Sequence, residues 1–135
     1  MFLKNSRSNT MKKIIPLCLF SIFLLNNAMA KEFPKNGKRI AESQCVVCHD
    51  LTPAKKNTVG PYLFGVVGRV AGTAKEYIHT NAFQKKTRHA VWDKEKLDIY
   101  LKDPKDFIPG TRMEFIGVKN DQDRTDIISY LSTLK

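Results

Sequence analysis

"AESQCVVCHDL", residues 41–51, is the stretch on which the reading of the chain turns. Two cysteines stand two residues apart, and His49 follows Cys48 directly. A structural zinc site is one use of such a pair, but it needs four ligands and usually two such pairs. Here there are two thiolates, one adjacent histidine and no second cluster. A redox dithiol is another, and it places its pair at the start of a helix that follows a strand. "PKNGKRIAESQ", the run before Cys45, reads as helix, and nothing strand-like precedes it.

The third use is covalent attachment of a porphyrin, for which C-x-x-C-H is the signature. The two thiols add to the two vinyl groups on one porphyrin edge and form thioethers. The histidine beside the second cysteine then reaches under the ring to the iron. A pentapeptide of this kind also arises by chance, so the reading needs a second iron ligand and a pocket further along the chain.

The N-terminal segment sets the compartment. In "MKKIIPLCLFSIFLLNNAMA", residues 11–30, Lys12 and Lys13 precede an apolar run from Ile14 to Leu25, and "NNAMA" puts Ala28 and Ala30 where signal peptidase wants small residues. That order of charge, apolar run and small residues is a secretory signal, with Met11 as its start. The apolar run is about twelve residues, short of the roughly 20 that span a membrane. Residues 1–30 are therefore expected to be a signal peptide, with an uncleaved N-terminal anchor as the alternative. Residues 31–135 form the single working domain, exported to the periplasm. Cys18 lies inside the apolar run and is read as a small hydrophobe that is discarded.

Beyond residue 30 the chain keeps only Cys45 and Cys48, one methionine (Met113) and three histidines (His49, His79 and His89). Two thiols in an oxidising compartment should not stay free. Lys4, Arg7, Lys12 and Lys13 fall in the leader and no acid does, so the formal charge of +10 drops to +6. About a hundred residues bury only a small core, and a prosthetic group would help to fill it. Nucleic acid is a poor explanation of this charge in an exported protein. Attraction to anionic lipid would be weak.

"DPKDFIPGTRMEFIG", residues 103–117, supplies the second ligand. Its prolines and glycines mark it as loop throughout, and Met113 sits within it. A thioether is a soft donor suited to iron whose reduced state is favoured. Methionines mostly fill cores, but a single methionine in a Pro/Gly loop is not a typical core residue.

Taken together, "CVVCH", "NTVGPYLFGVVGR", Trp92, "LDIYLKDPKDFIPGTRMEFIG" and "RTDIISYLSTL", in that order, resemble a class I cytochrome c of the mitochondrial and alphaproteobacterial type. The likeness covers nearly all of residues 36–135. It implies one heme c, attached through Cys45 and Cys48, with His49 and Met113 as iron ligands. It implies that Pro61, after Gly60, offers its carbonyl to the other ring nitrogen of His49, and that Trp92 donates its indole N–H to a heme propionate. Arg69 would lie near the same buried carboxylate, Tyr100 and Thr111 would hydrogen-bond on the methionine side, and Phe115 would pack over the heme face beside the sulfur.

The chain also departs from that family. His79 stands where the family has a tyrosine near the second propionate, which would make the redox potential pH-dependent near neutrality. Ala41 stands where the family packs an aromatic residue in the first helix, which puts the packing of the terminal helices in question. The stretch from Arg69 to Trp92 is slightly longer than in the short mitochondrial form, with "FQKKTRHA" expected as a solvated loop and His89 as an exposed residue.

"NDQDRTDIISYLSTLK" reads as helix, with Asp121 as cap, Asp123 in its first turn and Ile127, Tyr130, Leu131 and Leu134 on one face. A second helix runs from about Asp93 to Leu101, stopped by Asp103 before Pro104. A first runs from about Asn36 toward Cys45, and Gly37 near its start leaves room for another helix. No alternating run is long enough for a sheet. The expected fold is all-α, a cytochrome c fold of short helices around one heme.

Iron with two protein ligands has no open position for substrate, so the expected activity is one-electron transfer and not catalysis. The resemblance implies a route from a quinol-oxidising cytochrome bc1-type complex to a cytochrome oxidase. Lys105, Arg112 and Lys119 beside Met113, with Lys55 and Lys56, would steer a monomer to acidic surfaces of these redox proteins. The membrane is reached only through such partners or an uncleaved signal. The competing classes are a heme peroxidase, a gas sensor that binds at a vacated Met113 position, and an immobile subunit of a larger oxidase or reductase.

Overall fold

The computed structural model describes residues 35–135, so the leader and anchor readings of residues 1–30 lie outside the described residues. Five helices occur among them: α1 (residues 35–44), α2 (Asn81–Thr87), α3 (Lys94–Lys102), α4 (Pro104–Phe107) and α5 (Asp121–Leu131). The described residues contain no strand longer than a single antiparallel bridge, Val70 to Val91. The fold is all-α, as expected.

α3 starts where an aspartate can accept the first free amides. The Asp93 carboxylate takes the Lys96 N–H at 2.7 Å. Leu97 and Leu101 lie one turn apart and are buried. The helix ends at Lys102 because Asp103, before Pro104, is extended (φ −157°). That same Asp103 then caps a further turn by accepting the Asp106 N–H. The segment 103–117, expected to be loop throughout, therefore opens with one helical turn, α4. Its Pro104 sits in the first helical positions, where the missing N–H costs nothing.

α2 corrects a second expectation. "FQKKTRHA" is not a solvated loop over its length. Thr80 accepts the Phe83 N–H and caps a helix, and Phe83 and Thr87 are buried on its inner side, one turn apart. Lys85, Lys86 and Arg88 are exposed, as is His89. In α5 the cap is Asn120, whose side chain accepts the Asp123 N–H, and Asp121 is the first helical residue.

α1 and α5 touch. A Cβ on Gly37 would overlap the backbone carbonyl of Asp126, so only glycine permits the approach. Asn36 donates to the Asp126 carboxylate at 2.6 Å across the contact. Ala41 is fully buried beside Ile40 in the same core, so the terminal helices pack together although no aromatic residue stands at this position. Ile127, Ile128 and Leu131 of α5 complete this core with Leu97, Leu101 and Ile108. Tyr130 and Leu134 are half-buried against it. Arg124, not singled out in the sequence, is buried. It binds Asp98 of α3 at 2.7 Å, Asp121 and the Val118 carbonyl.

The residues between Val70 and Val91 leave and return at one place. Trp92 N–H donates to the Arg69 carbonyl and Gly68 N–H to the Trp92 carbonyl, both at 2.9 Å, and Ala71 N–H donates to the Ala90 carbonyl at 2.8 Å. This short clamp fixes Arg69 and Trp92 side by side.

Candidate functional site

The C-terminal end of α1 runs directly into the cysteine pair. Residues 45–48 form a turn, in which the Cys48 and His49 N–H groups donate to the Cys45 carbonyl at 3.1 and 2.9 Å. Burial, with Cys48 close by, pushes the Cys45 thiol up to about 11. A redox dithiol needs the opposite, a thiol lowered at a helix N-terminus, so this location argues against that chemistry. Among the described residues no group of three or more His, Cys, Asp or Glu side chains is gathered that could hold a metal ion.

His49 is held in one tautomer. Its Nδ1 lies 2.6 Å from the Pro61 carbonyl, an acceptor, so Nδ1 carries the hydrogen and Nε2 keeps a free lone pair for a metal. Burial lowers the pKa of the ring, and the Pro61 bond offsets part of that shift. Gly60 makes the approach possible, because a Cβ there would run into the His49 ring, 2.7 Å from Nδ1. Thr58 and Gly60 tie this loop to the Cys48 carbonyl.

Met113 lies on the segment after α4 and is half-buried. The Tyr100 hydroxyl, from α3, donates to its Sδ at 3.0 Å. The Met113 N–H donates to the Thr111 hydroxyl at 3.2 Å. Tyr100 belongs to an aromatic cluster with Trp92 (ring centroids 5.0 Å apart) and Phe107 (5.7 Å). Phe115 is half-buried against the core two residues beyond the sulfur.

Arg69 and His79 form a third group. Arg69 is held by the Tyr62 carbonyl (2.9 Å) and sits over the Tyr62 ring. His79 stacks on Phe83 at 4.2 Å and meets Tyr77 edge-on. Burial, then Arg69 and Arg112, lower its pKa below the ordinary histidine value. Its Nε2 is the one buried side-chain polar atom without a hydrogen-bond partner among the described residues.

The three groups join in one arc. Pro61 adjoins Tyr62, which holds Arg69; His79 stacks on Phe83, which meets Trp92 at 6.2 Å; Trp92 meets Tyr100, which holds Met113. Arg112 closes the arc by donating to the Ile78 carbonyl at 2.7 Å. Phe83 and Arg112 are links that sequence reasoning did not assign to the site. A lone aromatic three residues after Thr80 was the available signal for Phe83.

These residues fit a heme. An imidazole presents a free Nε2, a hydrogen-bonded thioether sulfur stands in a Pro/Gly segment, two cysteines stand beside the imidazole, and an unpartnered buried nitrogen lies near two guanidiniums. The comparisons agree. The cytochrome c family model matches residues 34–135. The chain is 43% identical over 101 residues to cytochrome c of Euglena viridis, covering 75% of this chain and 96% of that one. It is 40% identical over 107 residues to cytochrome c2 of Rhodomicrobium vannielii, covering 79% and 83%. It is 36% identical over 124 residues to cytochrome c2 of Blastochloris viridis, covering 90% and 92%.

An all-α domain with this arc of residues is a c-type heme carrier. The chain belongs to the cytochrome c family, with one covalently bound c-type heme and the role of a heme-based electron carrier.

Proposed function

We propose that this cytochrome c is an exported, monomeric shuttle that carries single electrons from a quinol-oxidising bc1-type complex to a terminal oxidase. Cys45 and Cys48 carry the thioethers, and His49 and Met113 ligate the iron. Pro61 orients His49, and Trp92, Arg69 and His79 would face the propionates. Tyr100 and Thr111 position Met113, and Phe115 would pack over the heme beside it. When bound, the heme supplies the Fe(III)/Fe(II) couple.

One observation carries the choice of carrier over enzyme or gas sensor, namely the Tyr100 hydroxyl on Met113 Sδ at 3.0 Å. A sulfur held from outside its own loop is pre-positioned as a ligand, and with Met113 on the iron there would be no open place for peroxide, oxygen or nitric oxide. The oxidised protein should show the weak near-infrared sulfur-to-iron band and refuse cyanide at neutral pH. Loss of the band with ready cyanide binding would favour the enzyme or sensor.

The leader pattern supports the periplasm, and recovery of the mature chain as a free soluble monomer in the periplasmic fraction tests it against the immobile-subunit reading. Among the described residues no helix is long and apolar enough to cross a membrane.

The cations expected to steer docking are largely engaged within the protein. Lys105 pairs with Glu114 at 2.6 Å, Lys119 with Asp103 at 3.1 Å, Arg112 binds the Ile78 carbonyl, and Lys55 lies over the Phe64 ring. Of these, only Lys105 and Lys119 are offset by a carboxylate, while Arg112 on a neutral carbonyl and Lys55 over a ring keep their full charge, so the steering is weakened by the two paired lysines alone.

A further inference from the structure

We propose that His79 is a proton site coupled to the electron that this protein carries, so that the ring takes up a proton from water on reduction and returns it on oxidation. The proposal rests on the heme reading above and goes beyond it.

The starting point is the orphaned nitrogen. A buried ring N–H or lone pair without a partner loses its hydration with nothing in return, and among the described residues His79 Nε2 alone is in that position. The ring is not loose. Phe83 of α2 stacks on it nearly face to face (19° between planes), and Tyr77 packs against its edge. Gly72 also lies beside the pair, where a Cβ would reach ordinary contact with Phe83 and with His79 Cδ2 at 4.0 Å. A fixed ring with a buried, uncommitted nitrogen suits an anionic oxygen acceptor of the bound cofactor.

The charged and titratable neighbours on each packed element set the direction. Arg69, from the preceding loop, and Arg112, from the Met113 segment, both oppose a proton on the ring. On its own segment the Tyr77 hydroxyl is spent on the Val59 carbonyl and the Thr80 hydroxyl on the Phe83 N–H. Lys75 and Glu76 are exposed and paired with each other. α2 contributes only the apolar Phe83. Nothing on the chain itself therefore favours the charged imidazolium, and its proton affinity depends on the charge of the group it faces.

The balance is simple. One electron arrives from a reduced protein donor and lowers the charge at the iron by one. The added negative charge raises the affinity of His79 for a proton, which water supplies. By linkage, the proton equally raises the affinity for the electron. No bond other than N–H is made or broken, and less than one proton moves per electron at every pH, most of it midway between the two pKa values. The midpoint potential then falls as pH rises across the titration, within about pH 5 to 8, and is flat above and below.

The test uses the heme-loaded protein. Nuclear magnetic resonance of the His79 ring through a pH series, in the reduced and the oxidised protein, should show a proton affinity several-fold higher in the reduced state. Midpoint potentials over the same series should slope in the wild type and become flat in His79→Phe, which keeps the stacked ring, and in His79→Tyr. Equal His79 affinities in the two oxidation states overturn the proposal even where a variant fails to fold. So does a slope that survives in both variants. An unmodified mass for the matured wild-type chain would overturn the heme reading and this proposal together, whereas a loaded protein with a pH-flat potential overturns this proposal alone.

Discussion

Gly37 of α1 lies so close to the Asp126 carbonyl of α5 that the added methyl of an alanine would occupy the same space. The helix pair is therefore locked by the absence of a side chain. Alanine is about 1 kcal/mol better than glycine in a helix interior, so propensity alone predicts that Gly37→Ala stabilises. The contact predicts the reverse, a loss of about 3 kcal/mol from forcing the helices apart. Denaturant unfolding of the heme-loaded variant decides the sign, with a lowered midpoint and an unchanged slope expected.

The hydrogen bond from Tyr100 to Met113 occupies one sulfur lone pair. Its removal makes the sulfur a better donor to the more positive Fe(III) than to Fe(II). Tyr100→Phe should therefore lower the midpoint potential. A bond worth about 1 kcal/mol corresponds to roughly 40 mV for one electron. Redox titration of the variant with its sulfur-to-iron band still present is the check, and an unchanged or raised potential would show that the bond does not act on the ligand.

Tyr100 also makes a stability prediction in alkali. Burial pushes its phenol up to about 12, against 10 for a free tyrosine. Unfolding frees the phenol to ionise first, so the contribution of the neutral ring is fully present below about pH 10 and is lost as pH rises through 12. The effect is on the order of 2 kcal/mol. Unfolding midpoints through that window should fall less steeply in Tyr100→Phe than in the wild type.

Glu114 neutralises Lys105 beside the methionine segment. If that face meets acidic partners, Glu114→Gln frees a cation and should raise the association rate several-fold at low ionic strength, with a steeper dependence on salt. Stopped-flow electron transfer to an acidic redox partner at several salt concentrations measures it. A slope equal to that of the wild type would place Lys105 outside the docking face.

The helical fold was legible where the signals are local. Asp93 capping α3, the stop before Pro104 and the periodic face of α5 all depend on neighbours within a few residues. So was the close approach at Gly37, since a glycine in a helical run offers few other uses. α2 and α4 were not, for each depends on one cap, Thr80 or Asp103, at the edge of a polar or proline-rich stretch whose composition argues for loop. The cysteines, His49 and Met113 were legible by residue type and order. Arg112 and Phe83 were not, because their part in the arc comes from contacts with distant chain, Arg112 with Ile78 and Phe83 with Trp92. Arg124 escaped for the same reason. An arginine in a polar helix face looks solvated until Asp98 of another helix is seen to receive it.

The clamp formed by Gly68, Arg69, Ala71, Ala90 and Trp92 has a consequence for how the molecule tolerates change. It seals the base of the excursion between Val70 and Val91, so insertions or deletions near its outer tip need not displace Arg69 or Trp92. Its outer tip can thus be lengthened or trimmed over evolutionary time, while the residues anchored at its base keep their places.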